Sequence, residues 1–137
     1  MKTDIKKRYH TDKEFKKRVH QYSYNWRKRN PIRFWANQSI QNHKQRRIIF
    51  ITRKELEDWA IKTKECWICG EILEYSSSKN KGGFKHSSAS VDIINREKPT
   101  TKDNLQIICN RCNICKGTSS IKDFIDYCKL ITQRNKI

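Results

Sequence analysis

Apolar positions recur at helical spacing in several stretches of the chain and gather at strand spacing in others. Phe15, Val19, Tyr22 and Trp26 fall at i, i+4, i+7 and i+11, which predicts an amphipathic helix over residues 11–29. Thr11 and Glu14 stand at capping-box spacing at its start. Asn30-Pro31 ends that helix and opens a second, with Asn30 as cap and Pro31 at the first helical position. Phe34, Trp35 and Ile40 give the second helix its apolar contacts. "RRIIFIT", residues 46–52, reads as a short strand. Thr52 and Glu55 then cap a short helix carrying Leu56, Trp59 and Ala60. "ASVDII" and "LQIIC" read as strands, and residues 76–88 have the Ser, Asn and Gly of a loop. Ile121, Phe124, Ile125 and Cys128 make the stripe of a last helix. Trp26, Trp59 and Cys128 are expected to pack rather than to do chemistry.

Composition adds a partner to this picture. With 137 residues, 35% hydrophobic and 33% charged, the chain is one domain's worth and lean in core. Such chains recruit a metal or a partner to hold part of the fold. Net charge is +17, and residues 1–64 hold 19 of the 31 Lys/Arg for a net of +13, against +4 over residues 65–137. A field of that sign attracts a polyanion, and DNA is the expected partner, with RNA open because nothing in the sequence tests for a 2′-hydroxyl. The longest apolar runs span a few residues, so no membrane segment is expected. "MKTDIKKRYH" has no apolar stretch after its charges, so an intracellular, reducing setting is expected, not secretion.

In that setting the six cysteines point to metal before disulfides. Cys66-x-x-Cys69 and Cys109-x-x-Cys112 are two pairs separated by 39 residues. Two residues between thiolates let both sulfurs bind one tetrahedral ion, and two such pairs complete a closed structural zinc site. Cys112-x-x-Cys115 has the same spacing, so Cys115 competes for a place in the set.

The segment "CWICG … SVDIINREKPTTKDNLQIICNRCNICKG", residues 66–117, resembles the HNH endonucleases of the His-Me (ββα-metal) finger superfamily. The matching features are the first knuckle, an Asp closing a small-residue strand, "DNLQIIC" and C-x-x-C-N-x-x-K-G, which favours Cys109 and Cys112 as the second zinc pair. The resemblance implies an α+β fold: a small ββα-metal finger over 65–137 held by the four-cysteine zinc, with a basic, mainly helical DNA-binding extension over 1–64. It implies Asp92 and Asn113 as ligands of a catalytic divalent ion, Asn104 as the residue that fixes the loop between the strands, and Lys116 as a phosphate contact. A carboxylate and an amide oxygen are hard donors suited to Mg²⁺ or Mn²⁺.

The sequence departs from the family at the base. Family members carry His after the Asp, whereas Ile93 stands here and has no ionisable group. Relatives reading D-R-I-D … G-Y are not matched either, since Ile93, Asn95 and Pro99-Thr100 occupy those places. His86 and His43 are the candidate replacements, as a histidine near pKa 6.5 suits proton transfer at neutral pH. Arg96 is expected as a phosphate clamp. Phosphate contacts are expected from Lys16, Lys17, Arg18, Arg27, Lys28, Arg29, Arg46 and Arg47. Two functions follow: a metal-dependent DNA endonuclease of homing, restriction or phage type, working as a homodimer if it cuts both strands, or a zinc-stabilised nucleic-acid-binding protein that no longer cuts. An adaptor built on a zinc knuckle would explain the cysteines but not the charge.

Overall fold

The computed structural model describes residues 2–46, 48–75 and 85–136. Arg47 and most of the loop expected over 76–88 lie outside the described residues.

A helix not expected from the sequence, α1 (Lys2–Thr11), opens the chain and is followed by α2 (Lys13–Arg29). The break between them moves the expected cap by one residue. Asp12, not Thr11, caps α2 by accepting the Phe15 N–H at 2.9 Å, while the Thr11 hydroxyl donates back to the Lys7 carbonyl. Helix α3 (Pro31–Lys44) begins at its proline as expected, but Asn30 turns its amide onto the Trp26 carbonyl instead of capping forward. Helix α4 (Arg53–Lys62) has the full capping box: Thr52 and Glu55 satisfy each other's backbone N–H groups. The strand expected over 46–52 is absent from its described residues. Only an isolated parallel bridge between Ile49 and Thr100 forms there, helped by the Thr100 hydroxyl donating to the Ile48 carbonyl.

The sheet has two antiparallel strands, β1 (Ala89–Ile93) and β2 (Leu105–Cys109), with Asp92 opposite Gln106 and Val91 opposite Ile107. One helical turn, Lys102–Asn104, leads into β2, and α5 (Asn110–Lys116) follows it directly. Directly opposed residues share a face. Val91, Ile93, Leu105 and Ile107 therefore face one way, into a core that also holds Trp35, Ala36 and Ile40 of α3, Ile51, and Leu56 and Ala60 of α4. Ser90, Asp92, Gln106 and Ile108 face the other way, toward α5. Trp35 ties α3 to the sheet, its indole N–H donating to the Ala89 carbonyl at 2.8 Å. The core thus draws side chains from both sides of residue 64.

Helices α1, α2 and α6 (Ile121–Asn135) add little to this core. No described residue of α2 or α6 is buried. In the stripe predicted for α2, Val19 and Tyr22 are exposed and only Phe15 and Trp26 are half-covered. Cys128 is likewise exposed, and not packed on an apolar face as expected. Trp59 is half-buried against the core.

Candidate metal centre and carboxylate site

The first cysteine pair sits in a tight knuckle. The Cys66 N–H donates to the Glu71 carbonyl and the Gly70 N–H to the Cys66 carbonyl, a reversal that puts Gly70 at φ 76°, where a side chain is disfavoured. The second pair is set by the strand-to-helix corner: Cys109 ends β2 and caps α5, its sulfur accepting the Cys112 N–H. The Trp67 N–H reaches the Ile107 carbonyl and brings the knuckle to the end of β2. The sulfurs of Cys66, Cys69, Cys109 and Cys112 all lie within 4.8 Å of one another, and all four are free thiols. Cys115 and Cys128 are exposed and outside the cluster. Burial pushes the Cys109 and Cys112 thiols up, with the neighbouring thiols raising Cys112 further. At Cys66 burial is outweighed by N–H groups from Cys109, Cys69 and Ile68, which bring it down to about 7. Four soft donors converging in this way are compatible with a structural zinc.

The other residues singled out by the family pattern divide between two places. Asn104 is buried and fixes the loop that follows β1. Its Oδ1 accepts the Asn95 N–H at 2.9 Å, and its amide donates to the carbonyls of Asn95, Lys98 and Pro99. Its own carbonyl accepts the Ile94 N–H.

Asp92 and Asn113 both lie where α5 packs on the sheet, but they engage different partners. Residues two apart on β1 point the same way, and residues three apart on α5 do too. Asn113 accordingly reaches Ser90, its amide donating to the hydroxyl at 2.9 Å, and Lys116 reaches Asp92. The Lys116 Nζ lies 3.1 Å from Oδ2 and 3.3 Å from Oδ1 of the carboxylate. Lysine and aspartate side chains are only 2% and 7% exposed. The packing of α5 on β1 thus carries Lys116, expected as a phosphate contact, inward onto Asp92. Gln106 completes the group and was not anticipated: its amide donates to Asp92 Oδ2 at 2.7 Å, and its Oε1 is buried with no hydrogen-bond partner among the described residues. The available signal was a lone polar residue within "LQIIC".

Neither candidate base joins Asp92. His86 is exposed in the turn before β1, and its carbonyl accepts the Arg111 N–H at the start of α5. Lys116 lies at the other end of that helix, a rise of about 7.5 Å from Arg111 at 1.5 Å per residue, and Asp92 beside it. His43 lines a small cavity with Val91 and Leu105, on the opposite face of the sheet. Ile93 faces that same core, so the position following Asp92 is a packing position here.

The donor types beside Asp92 are compatible with a hard cation. They combine a buried carboxylate with a buried amide oxygen that lacks a partner, and one cation, the Lys116 ammonium, already stands against the carboxylate.

The expected phosphate contacts lie at the surface except Lys116 and the undescribed Arg47. Lys16, Lys17, Arg18, Arg27, Lys28 and Arg29 are all exposed along α2, Arg46 follows α3, and Arg96 stands in the loop held by Asn104. None of these makes an ion pair with a carboxylate among the described residues. Among the described residues, no helix is long and apolar enough to cross a membrane. No protein-family model, curated protein or solved structure matches the chain.

Proposed function

We propose that the protein is a zinc-stabilised endonuclease of the HNH type that hydrolyses phosphodiester bonds in DNA. The observation that carries this reading is the buried carboxylate of Asp92, set between Gln106, with its unpartnered oxygen, and the cationic end of α5. A protein kept only for holding DNA gains nothing from burying that group. Zinc on the four cysteines would anchor the knuckle to the corner between β2 and α5. Asp92, Asn113 and Gln106 are the residues that would hold Mg²⁺ or Mn²⁺. Such an ion would supply charge stabilisation at the scissile phosphate and its leaving oxygen.

The chain's own residues supply the rest. Asn104 fixes the loop that presents Arg96 to a phosphate. The exposed cations of α2 hold the nucleic acid by its backbone, which gives affinity without sequence information. Among the described residues, no histidine stands beside Asp92 to activate water at neutral pH. A general base contributes about 10²–10⁴-fold, so the expected enzyme is slow, not inert. Reduced thiols at the zinc site suit an intracellular setting.

A second reading is favoured by the Lys116–Asp92 pair itself and by the packing role of Ile93: a nucleic-acid-binding protein in which the ammonium has permanently replaced the ion. Nicking of supercoiled plasmid by zinc-loaded protein separates the two. Mg²⁺- or Mn²⁺-dependent nicking that EDTA, Asp92→Ala and Asn113→Ala each abolish is the expected result. DNA binding without nicking in either ion would overturn the nuclease reading and leave the second.

A further inference from the structure

We infer that Lys116 is a resident counter-cation that must leave Asp92 before a divalent ion can bind, so that the site is filled either by lysine or by metal. The inference rests on the proposed metal role of Asp92 but not on cleavage.

Lys116 is 3% exposed, and an ammonium buried that deeply costs several kcal/mol unless it is paired. The sole carboxylate among its described partners is Asp92, and the ammonium straddles both oxygens. Gln106 holds Oδ2 from the other side. That arrangement engages both carboxylate oxygens, yet among the described residues it also leaves Gln106 Oε1 buried and without a hydrogen-bond partner. Buried polar atoms are nearly always paired, and an orphan beside an ion pair marks a site whose occupant is not the best match for its donors. A divalent ion satisfies carboxylate and amide oxygen together, as a lysine placed at the carboxylate does not.

The two occupants exclude each other by charge. Asp92 with Lys116 is neutral, whereas adding a divalent ion with the ammonium still in place would bury a net +2 behind α5. Lysine has the means to leave: it is anchored in the last turn of α5, next to Gly117 at φ 55°, and its four-carbon stem can carry the ammonium toward solvent. A nucleic-acid phosphate is the natural second partner for it there. Binding of nucleic acid and of divalent ion would then favour each other, since each takes one partner of the pair.

The test is amine-reactive labelling of Lys116, read by mass spectrometry on the full-length zinc-loaded protein during Mn²⁺ titration, with bound Mn²⁺ followed by electron paramagnetic resonance. Lys116 should be protected without Mn²⁺ and gain labelling several-fold in step with Mn²⁺ occupancy. Lys116→Met should bind Mn²⁺ at least about tenfold more tightly than wild type, a difference of about 1.4 kcal/mol. Lys116 protected at full Mn²⁺ occupancy would overturn the proposal, as would wild-type protein that binds no Mn²⁺ to millimolar levels. The wild-type labelling decides the matter even where Lys116→Met does not fold. Nicking is measured apart, so the two ideas fail separately except where no Mn²⁺ binds at all, which overturns both. Exchange without nicking would overturn the cleavage reading alone, and metal-dependent nicking with Lys116 protected throughout would overturn the exchange alone.

Discussion

The sulfurs of Cys69 and Cys109 approach to 3.7 Å although 39 residues separate them in the chain. Neither element would hold that approach unaided: the knuckle is a few residues long and three of the four thiols are buried. A metal ion is the cheapest way to satisfy four thiols there, so purified protein should contain one equivalent of zinc. Cys109→Ser should lose the zinc and several kcal/mol of stability, because structural zinc binding is folding free energy. Cys115→Ser should keep both, with a change within about 0.5 kcal/mol. Elemental analysis and thermal melts read the difference.

Breaking the Lys116–Asp92 pair from one side should cost more than removing it whole. Lys116→Met in metal-free buffer, or Asp92→Ala alone, should destabilise by about 3–5 kcal/mol, because each leaves a buried charge without its partner. Asp92→Asn with Lys116→Met should recover much of that loss. A denaturant double-mutant cycle checks the coupling.

Asn104→Ala should loosen the segment 94–99. The substitution strands the Asn95 N–H and the carbonyls that its amide now serves, at a cost of about 2 kcal/mol. Hydrogen exchange at the Asn95 amide should accelerate more than exchange within β2.

Nucleic-acid affinity should reside in the cations of α2. Replacing Lys16, Lys17 and Arg18 with alanine should weaken duplex binding equally across sequences and flatten the logarithmic salt dependence by about 3 if each neutralises one phosphate. Helix α2 buries no residue, so the melting temperature should hold. Fluorescence anisotropy at several salt concentrations reads both slope and affinity. Removing residues 1–29 is the matching truncation, since a cut at 64 would take Trp35, Ile40 and Leu56 from the core.

The cap of α4 should titrate. Backbone and hydroxyl hydrogen bonds from Thr52 hold the Glu55 carboxyl below its ordinary value of 4.5. Its contribution is present above that ordinary value and is lost as pH falls through the depressed one. Amide exchange in the first turn of α4 should therefore quicken on acidification, and Glu55→Gln should remove the dependence.

Local chemistry was legible in the sequence where it needed no distant partner. The Thr52–Glu55 box, Pro31, both sheet strands and the two cysteine pairs stand where pattern and spacing put them. The start of α2 was misread because Thr11 and Asp12 both offer a capping oxygen, and α1 claims the threonine. Residues 48–52 have strand composition but only one bridging partner, Thr100. Lys116 is expected from the resemblance as a phosphate contact, and nothing in the sequence alone marks it as the partner of Asp92. Its burial follows from matching a two-residue period on β1 to a three-residue period on α5, a register visible only once both elements are in place. The same register makes Gln106 the neighbour of Asp92.

The four-thiol cluster also bears on the order in which the chain folds. Pairing β1 with β2 and seating Lys116 on Asp92 are local events, whereas bringing Cys66 and Cys69 to Cys109 and Cys112 is an entropic search over a long span. A metal captured first by two cysteines and then by the other two would complete that search before any sheet forms, leaving only a local hairpin to close. Refolding should then be limited by ion supply: fast and single-phased with zinc present, slow and prone to aggregation when a chelator holds the ion away.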